Sequence, residues 1–346
     1  MKKYSVLISE TSHATLVDYL NALKQGLPPG NNLKKKLCEV NLATLPVSEF
    51  LEILMNTKRP QIFAEQEVAG DGSDWNQREL AILGDVSIAT PVVVYDDGLW
   101  ASPNIHTTPF EATLLFTPGA LLISGAGDWK ETVKRGAIDS ESYLKLYERR
   151  LLPCLKFASD AAKDRGKKAF ITLPGLGCGE FAGNFRGKMS VHFKQAIHDI
   201  LKSHLHELSH IKAVYFNPYS ECTNERHELG DLTFFVRPLA QGNKSQLCLP
   251  EDYQEKDDDF SSCELFSFVA WDHVSWPGND FYVNSRNTDD GVKAAATSSM
   301  MTMTGIMGKY DPRNNQYRPP AEYRMWEEVV SRNKLKIRVK DNLLVL

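Results

Sequence analysis

The stretch that decides the fold reads AFITLPGLGCGEFAGNF, residues 169–185. Its first residues are apolar or β-branched and predict a buried strand, while the glycines after them predict a tight turn that opens a helix. Gly175, Gly177 and Gly179 would let backbone N–H groups approach an anion, and the start of the helix would add a favourable dipole. The turn is neither a Walker loop nor a regular dinucleotide fingerprint, and the glycines alone support a purely structural turn equally well. Its place at the carboxyl end of a buried strand favours a ligand site.

The pattern on both sides of this stretch alternates helices with short strands. We predict helices over residues 140–164, 187–208 and 291–307. Strands are predicted over residues 92–95, 113–116, 121–124, 211–216, 233–236 and 265–270, with one or two more in residues 335–346. This alternation indicates an α/β fold with helices on both faces of a sheet. Residues 1–84 show mainly helical patterns, so we expect a small N-terminal region there and the main domain over residues 85–346.

A second stretch reads AWDHVSWPGNDFYVNSRNTDDG, residues 270–291, and joins a predicted strand to a predicted helix. Its tryptophans offer stacking surfaces, and its carboxylates could orient hydroxyls or accept protons, which is typical of an active-site loop. Each acid also has a structural interpretation. Thr288 or Asp289 could cap the following helix, and Asp272 could bond backbone amides in its own turn. His273 alone favours a structural histidine, and Cys178 in the first stretch favours a small packing residue over a nucleophile.

These two stretches together resemble macrodomains of the ADP-ribose-binding and ADP-ribosylhydrolase class, most closely MavL-like effector macrodomains of Legionella. Residues 175–184 are similar to the glycine-rich diphosphate loop of that family. Asp272, Asp280 and Asp290 have the same spacings of eight and ten residues as the aspartate triad of MavL-like hydrolases. The resemblance covers roughly residues 86–320 and implies a three-layer α/β/α macrodomain with a mixed central sheet. The triple-glycine and paired-glutamate signature of polymer-cleaving relatives is absent from the sequence.

The resemblance implies an enzyme that removes mono-ADP-ribose from protein side chains, and MavL-like proteins point to ADP-ribosyl-arginine as the substrate. Carboxylates suit the cleavage of an N-glycosidic bond because they stabilise an oxocarbenium-like centre and can activate water. Asp280 and Asp290 would bind the ribose hydroxyls and the guanidinium while Asp272 positions the water, although these roles could be exchanged. The residues expected to bind ADP-ribose are Gly175, Leu176, Gly177, Cys178, Gly179, Glu180, Phe181, Ala182, Gly183, Trp271, Trp276 and Phe281.

Composition narrows the classes of partner. The chain has 346 residues with 40 basic and 44 acidic side chains, a net charge of −4, so no global positive field favours nucleic acid. Six scattered cysteines without a CxxC pair indicate a reducing compartment. We find no signal peptide and no apolar run long enough to span a membrane. We therefore expect a cytoplasmic protein. The family resemblance adds the expectation of an effector secreted into a host cell, acting on a modified protein such as ubiquitin or a mitochondrial carrier.

Two alternatives stay open in the sequence. A non-catalytic ADP-ribose reader would share the glycine turn and would need no aspartate triad. A zinc metalloprotease is suggested by the HExxH pattern of His206, Glu207 and His210, which requires a helix that continues past the second histidine. A predicted strand begins at once after His210, and no third ligand has a suitable spacing. We therefore expect neither a metal nor a cofactor, with ADP-ribose as the ligand and product.

Overall fold

The computed structural model describes residues 3–60, 74–278, 286 and 288–346. Its helices begin where side chains satisfy the first N–H groups. Ser9 caps the helix that starts at Glu10, Asn76 and Glu79 form a capping box on the helix that starts at Gln77, and Asp139 caps the helix that starts at Ser140. The helices are α1 (Glu10–Lys24), α2 (Asn31–Leu37), α3 (Val47–Met55), α4 (Gln77–Gly84), α5 (Gly127–Thr132), α6 (Ser140–Asp164), α7 (Met189–Ser203), α8 (Asp289–Ala296), α9 (Ser299–Thr304) and α10 (Trp326–Arg332).

The strands form one large mixed sheet, in which the described residues give nine strands in the order β13-β1-β2-β3-β10-β6-β7-β9-β8. Its members are β1 (Ser5–Ile8), β2 (Ser87–Asp96), β3 (Ile105–Pro118), β6 (Lys168–Pro174), β7 (Ile211–Asn217), β8 (Glu225–Leu229), β9 (Leu232–Val236), β10 (Cys263–Trp271) and β13 (Leu343–Val345). Two small hairpins lie outside it: β4 (Val133–Lys134) with β5 (Ala137–Ile138), and β11 (Lys309–Asp311) with β12 (Gln316–Arg318). The expected α/β fold with a mixed central sheet and flanking helices is therefore confirmed.

Five central strands run parallel, β3, β10, β6, β7 and β9, so their carboxyl ends meet at one edge of the sheet. Successive strand residues face opposite helical layers, as Phe170 and Ile171 do in β6. Helices α6 and α7 cover one face, while the N-terminal helices and α8 to α10 cover the other. This arrangement brings the turns after β6, β7 and β10 together at the edge where open α/β sheets bind ligands.

The N-terminal region packs against this sheet. Strand β1 pairs antiparallel with β2 and parallel with β13, and α1, α3 and α4 share a hydrophobic core with the sheet. The division at residue 84 stays a prediction. No helix within the described ranges is both long and apolar enough to cross a membrane.

Some predicted elements differ from the structure. Residues 121–124 are wrong as a strand, because they form a turn whose Leu122 N–H donates to the Phe181 carbonyl at 2.7 Å. The single helix predicted over residues 291–307 is split into α8 and α9. The interruption has a tertiary cause: Ser298 exchanges hydrogen bonds with the backbone of Val93, so the chain there bonds to β2 instead of continuing the helix.

Candidate active site

A cavity of about 830 Å³ opens at the carboxyl ends of β6 and β7. Its size lies within the range of about 300–1,000 Å³ that is usual for small-molecule sites. Its walls come from the turns after β2, β6 and β7, from the start of α7 and from the first two turns of α8. Both stretches singled out in the sequence therefore contribute to one cavity.

The glycines of the glycine turn, residues 175–183, have two roles. Some line the cavity, and others pack against the chain behind the turn. Gly175 and Gly179 line the cavity together with Cys178. Gly177 has a φ of +71°, and a Cβ there would lie 2.7 Å from the backbone N of Ala120. The functional and the structural interpretation of the glycines thus both apply, but to different residues of the turn.

A buried tyrosine fixes this turn from behind. The Tyr147 hydroxyl donates to the Leu176 carbonyl at 2.6 Å and accepts from the Ala120 N–H at 3.0 Å. Leu176 and Ala182 are buried in the core, and Phe181 is half-buried near the His273 ring. These three residues were predicted to bind ADP-ribose. In the structure they instead hold the turn in position and so shape the cavity indirectly.

The first turn of α7 adds anion-binding capacity to the cavity, because a helix N-terminus attracts negative charge. Arg186 and Ser190 line the cavity here. Arg186 forms an exposed ion pair with Glu180 at 2.6 Å. The Ser190 N–H donates to the carboxylate of Glu221 at 2.6 Å, so a carboxylate occupies the position where a phosphate oxygen would fit. The spacing of the glycines in the sequence does not indicate that Arg186, Ser190 and Glu221 belong to the site.

Helix α8 supplies the cavity with a carboxylate and a lysine. Thr288, rather than Asp289, caps the helix through the Gly291 N–H. Asp289 lines the cavity, accepts the Ala270 N–H at 2.9 Å and lies 3.4 Å from the Lys293 ammonium. Burial lowers the pKa of Lys293, and the neighbouring Asp289 opposes that shift. Asp289 is thus the carboxylate of the second stretch that lines the cavity among the described residues.

Two members of the predicted triad, Asp272 and Asp290, do not line the described part of the cavity. Asp272 is buried, and one of its oxygens accepts the N–H groups of Val274 and Ser275 at 2.7 Å each. Asp290 is buried as well and accepts the Gly278 N–H. Asp280 and Phe281 lie outside the described residues. The structure therefore shows Asp272 and Asp290 fixing their own loop, and the catalytic assignment stays a prediction.

A lysine from the N-terminal region lies beneath this loop. The Lys58 ammonium is buried and donates to the carbonyls of Asp272 at 3.1 Å and His273 at 2.6 Å. It also lies 4.0 Å from the centre of the Trp271 ring. Burial lowers the pKa of Lys58 to about 7, and the charges of Asp272 and Asp290 oppose the shift. No local motif marks Lys58, so sequence analysis missed it.

The aromatic side chains of the cavity differ from those expected. Trp271 and Trp276 are buried in the core, where the Trp271 indole donates to the Ser275 carbonyl. The cavity wall instead contains Trp100 and Tyr219, whose side chains are 63% and 74% exposed. Of these two, Tyr219 is the more exposed and offers a ring on which a base or a sugar can stack.

The HExxH residues do not lie on a continuous helix. Helix α7 ends at Ser203, and the His206 side chain is 77% exposed. Glu207 bonds to Lys156 and His204, and the Lys156 contact lowers its pKa to about 2. Among the described residues no group of three potential metal ligands comes together. The geometry needed for the zinc-protease alternative is therefore not met.

Comparison with known families gives a match over most of the chain. The family described as "Macrodomain effector MavL" matches residues 4–323. This chain belongs to the MavL macrodomain effector family. The match includes the N-terminal region that carries Lys58, for which the sequence alone suggested no resemblance. No curated protein matches the chain at a significant level. Membership in this macrodomain family connects the chain with ADP-ribose chemistry.

Proposed function

We propose that this MavL-family macrodomain removes mono-ADP-ribose from modified arginine side chains of proteins. The observation that carries the proposal is the shared cavity, which joins an anion-binding glycine turn to the carboxylate of Asp289. Anion binding and carboxylate chemistry are the two requirements of an ADP-ribose glycosidase. Family membership supports the same ligand class.

The diphosphate would bind where the backbone approaches the cavity, at Gly175, Gly179 and the start of α7. Ser190 would exchange its Glu221 contact for a phosphate oxygen, because both are anionic acceptors of one N–H. Trp100 or Tyr219 would stack on the adenine. The distal ribose would then extend toward Asp289 and the aspartate loop.

The reaction breaks the bond between the ribose anomeric carbon and the arginine nitrogen, and the oxygen of water takes the place of that nitrogen. The arginine leaves as a protonated guanidinium after it receives a proton. Carboxylates lower the barrier by stabilising positive charge on the sugar and by holding the guanidinium. We retain Asp272, Asp280 and Asp290 as candidates for water activation and guanidinium binding, and we add Asp289 because it lines the cavity.

The decisive assay follows ADP-ribose release from a peptide mono-ADP-ribosylated on arginine, with a serine-linked peptide as the comparison. We expect faster release from arginine, and a loss of about 10²–10³-fold for an Asp→Asn variant at each residue that contacts the transition state. Ubiquitin modified on arginine is a suitable protein substrate. Release that is undiminished in all four aspartate variants would contradict the carboxylate mechanism.

A non-catalytic ADP-ribose reader is the second candidate, and one observation favours it. The carboxylates of Asp272 and Asp290 both accept hydrogen bonds from backbone N–H groups of their own loop, as in a rigid binding site. Titration calorimetry with ADP-ribose distinguishes the two: saturable binding without release from any modified peptide supports the reader.

For localisation we propose action inside a host cell, which a translocation reporter fused to the chain would test.

A further inference from the structure

A second cavity, of about 630 Å³, lies at the opposite end of the sheet from the candidate active site. Its wall contains Lys3, which precedes β1, and residues 340–342, which precede β13. Strands β1 and β13 run in the same direction as the central strands, because two antiparallel pairings separate β1 from β3. Residues before these strands therefore lie at the edge remote from the glycine turn.

The cavity is lined by a segment with strictly alternating character. Residues 334–340 read KLKIRVK. Ile337 and Val339 are fully buried and Leu335 is half-buried, whereas the four basic side chains between and beside them are exposed. Over residues 335–340 this alternation turns Lys336, Arg338 and Lys340 to the same side of the chain, while Lys334 belongs to the turn after α10. We call this cavity the basic groove, defined by Lys3, Lys334, Lys336, Arg338 and Lys340.

Two carboxylates, Glu52 and Asp341, also line the basic groove, and carboxylates neutralise only part of its charge. Glu52 pairs with Arg338 at 3.1 Å, and Glu49 pairs with Lys340 at 2.8 Å. Within the described ranges, Lys334 and Lys336 have no ion pair. The whole chain carries a net charge of −4, so the basic groove has the opposite sign to the average surface. Such a local concentration of charge selects an acidic partner and speeds its association.

The backbone at Lys334 gives an independent indication. Lys334 follows the end of α10 with a φ of +49°, in the left-handed region that favours glycine at this position of a helix end. A lysine there is strained, and strained side chains concentrate at sites where their chemistry is used. At the end of α10 the Lys334 ammonium also interacts favourably with the helix dipole, and Lys334 lines the basic groove.

We propose that the basic groove binds an extended, acidic segment of a partner protein. An extended chain repeats its side chains every second residue, which matches the spacing of Lys336, Arg338 and Lys340. The groove is a cavity, and a concave wall fits a polypeptide better than a flat lipid surface. The site is remote from the cavity of the proposed hydrolase, so it can be tested whether or not that activity is present.

The test uses the full chain and a fluorescein-labelled peptide of alternating glutamate and serine, followed by fluorescence anisotropy at low salt. We expect saturable binding that weakens at least about tenfold in the double variant Lys334→Glu/Lys336→Glu. The matched control Lys163→Glu/Lys202→Glu makes the same charge change on exposed residues of α6 and α7, and binding should stay within about threefold. A lysine–serine peptide should not bind.

A further variant separates binding from folding. Lys334→Gly relieves the left-handed strain, so it should raise the melting temperature while weakening peptide binding. Absence of saturable binding, or equal weakening by both double variants, would overturn the proposal. Vesicles containing phosphatidylserine form the last arm: binding of the vesicles, but not of the peptide, would assign the groove to a membrane and reject a protein partner.

Discussion

The glycine turn and the aspartate loop, residues 272–290, occupy equivalent places in the fold but are fixed in different ways. Each joins the carboxyl end of a parallel strand to the start of a helix. Backbone packing fixes the glycine turn, since Gly177 lies against the chain at Ala120. The described part of the aspartate loop is fixed by buried polar side chains, the carboxylate of Asp272 and the amino group of Lys58. The first region is specified locally, whereas the second depends on a residue 214 positions away.

The largest effect should come from a methyl group added where the glycine turn is packed. Gly177→Ala places a Cβ 2.7 Å from the Ala120 backbone and forces alanine into a φ of +71°. We expect the free energy of unfolding to fall by about 2–4 kcal/mol, as measured by urea denaturation.

The matched control is Gly175→Ala in the same turn. Its nearest neighbour is the Cys178 Cβ at 3.2 Å, and its φ lies outside the left-handed region. A loss below about 1 kcal/mol is expected there. Equal losses in the two variants would show that backbone packing at Gly177 is not what fixes the turn.

This difference explains how much of the molecule could be predicted from sequence. Helix α6 was predicted with the bounds Ser140–Asp164 that the structure shows, because its apolar periodicity is long and uninterrupted. The glycine turn was recognised because all of its determinants lie within one short stretch. Lys58 was missed because its burial results from packing between distant segments, which no local pattern records. Trp271 was expected in the site for its residue type, but its ring packs in the core.

The second effect concerns the pH dependence of stability that Lys58 confers. Its pKa is about 7 in the folded protein against an ordinary value of 10.5, so the unfolded chain binds more protons between these two values. Stability conferred through this group therefore rises with pH over that window. Relative to Lys58→Met, the wild type should gain about 2 kcal/mol of unfolding free energy between pH 7 and pH 9.

Urea denaturation at several pH values measures this difference. The control Lys202→Met removes an exposed lysine of α7, and its unfolding curve should follow that of the wild type at every pH. If the wild type and Lys58→Met gain stability in parallel as the pH rises, burial does not lower the pKa of Lys58. If the stability of the wild type relative to Lys58→Met falls as the pH rises, the sign is opposite to that expected, and the lowered pKa of Lys58 is rejected.

The smallest effect is expected at Cys178, which lines the cavity within the glycine turn. Burial raises the pKa of its thiol to about 12, so almost no thiolate exists at neutral pH. A buried neutral thiol is a poor nucleophile, and Cys178 acts as a packing residue of the turn.

Iodoacetamide should therefore alkylate Cys178 far more slowly than the exposed Cys38, as followed by mass spectrometry of the native protein. Cys178→Ala should change ADP-ribose release by less than about threefold, because the proposed mechanism assigns the chemistry to the carboxylates of the aspartate loop and not to the glycine turn. Rapid alkylation of Cys178, together with a loss of release in Cys178→Ala that leaves ADP-ribose binding intact, would move the reacting group from the aspartate loop to the glycine turn.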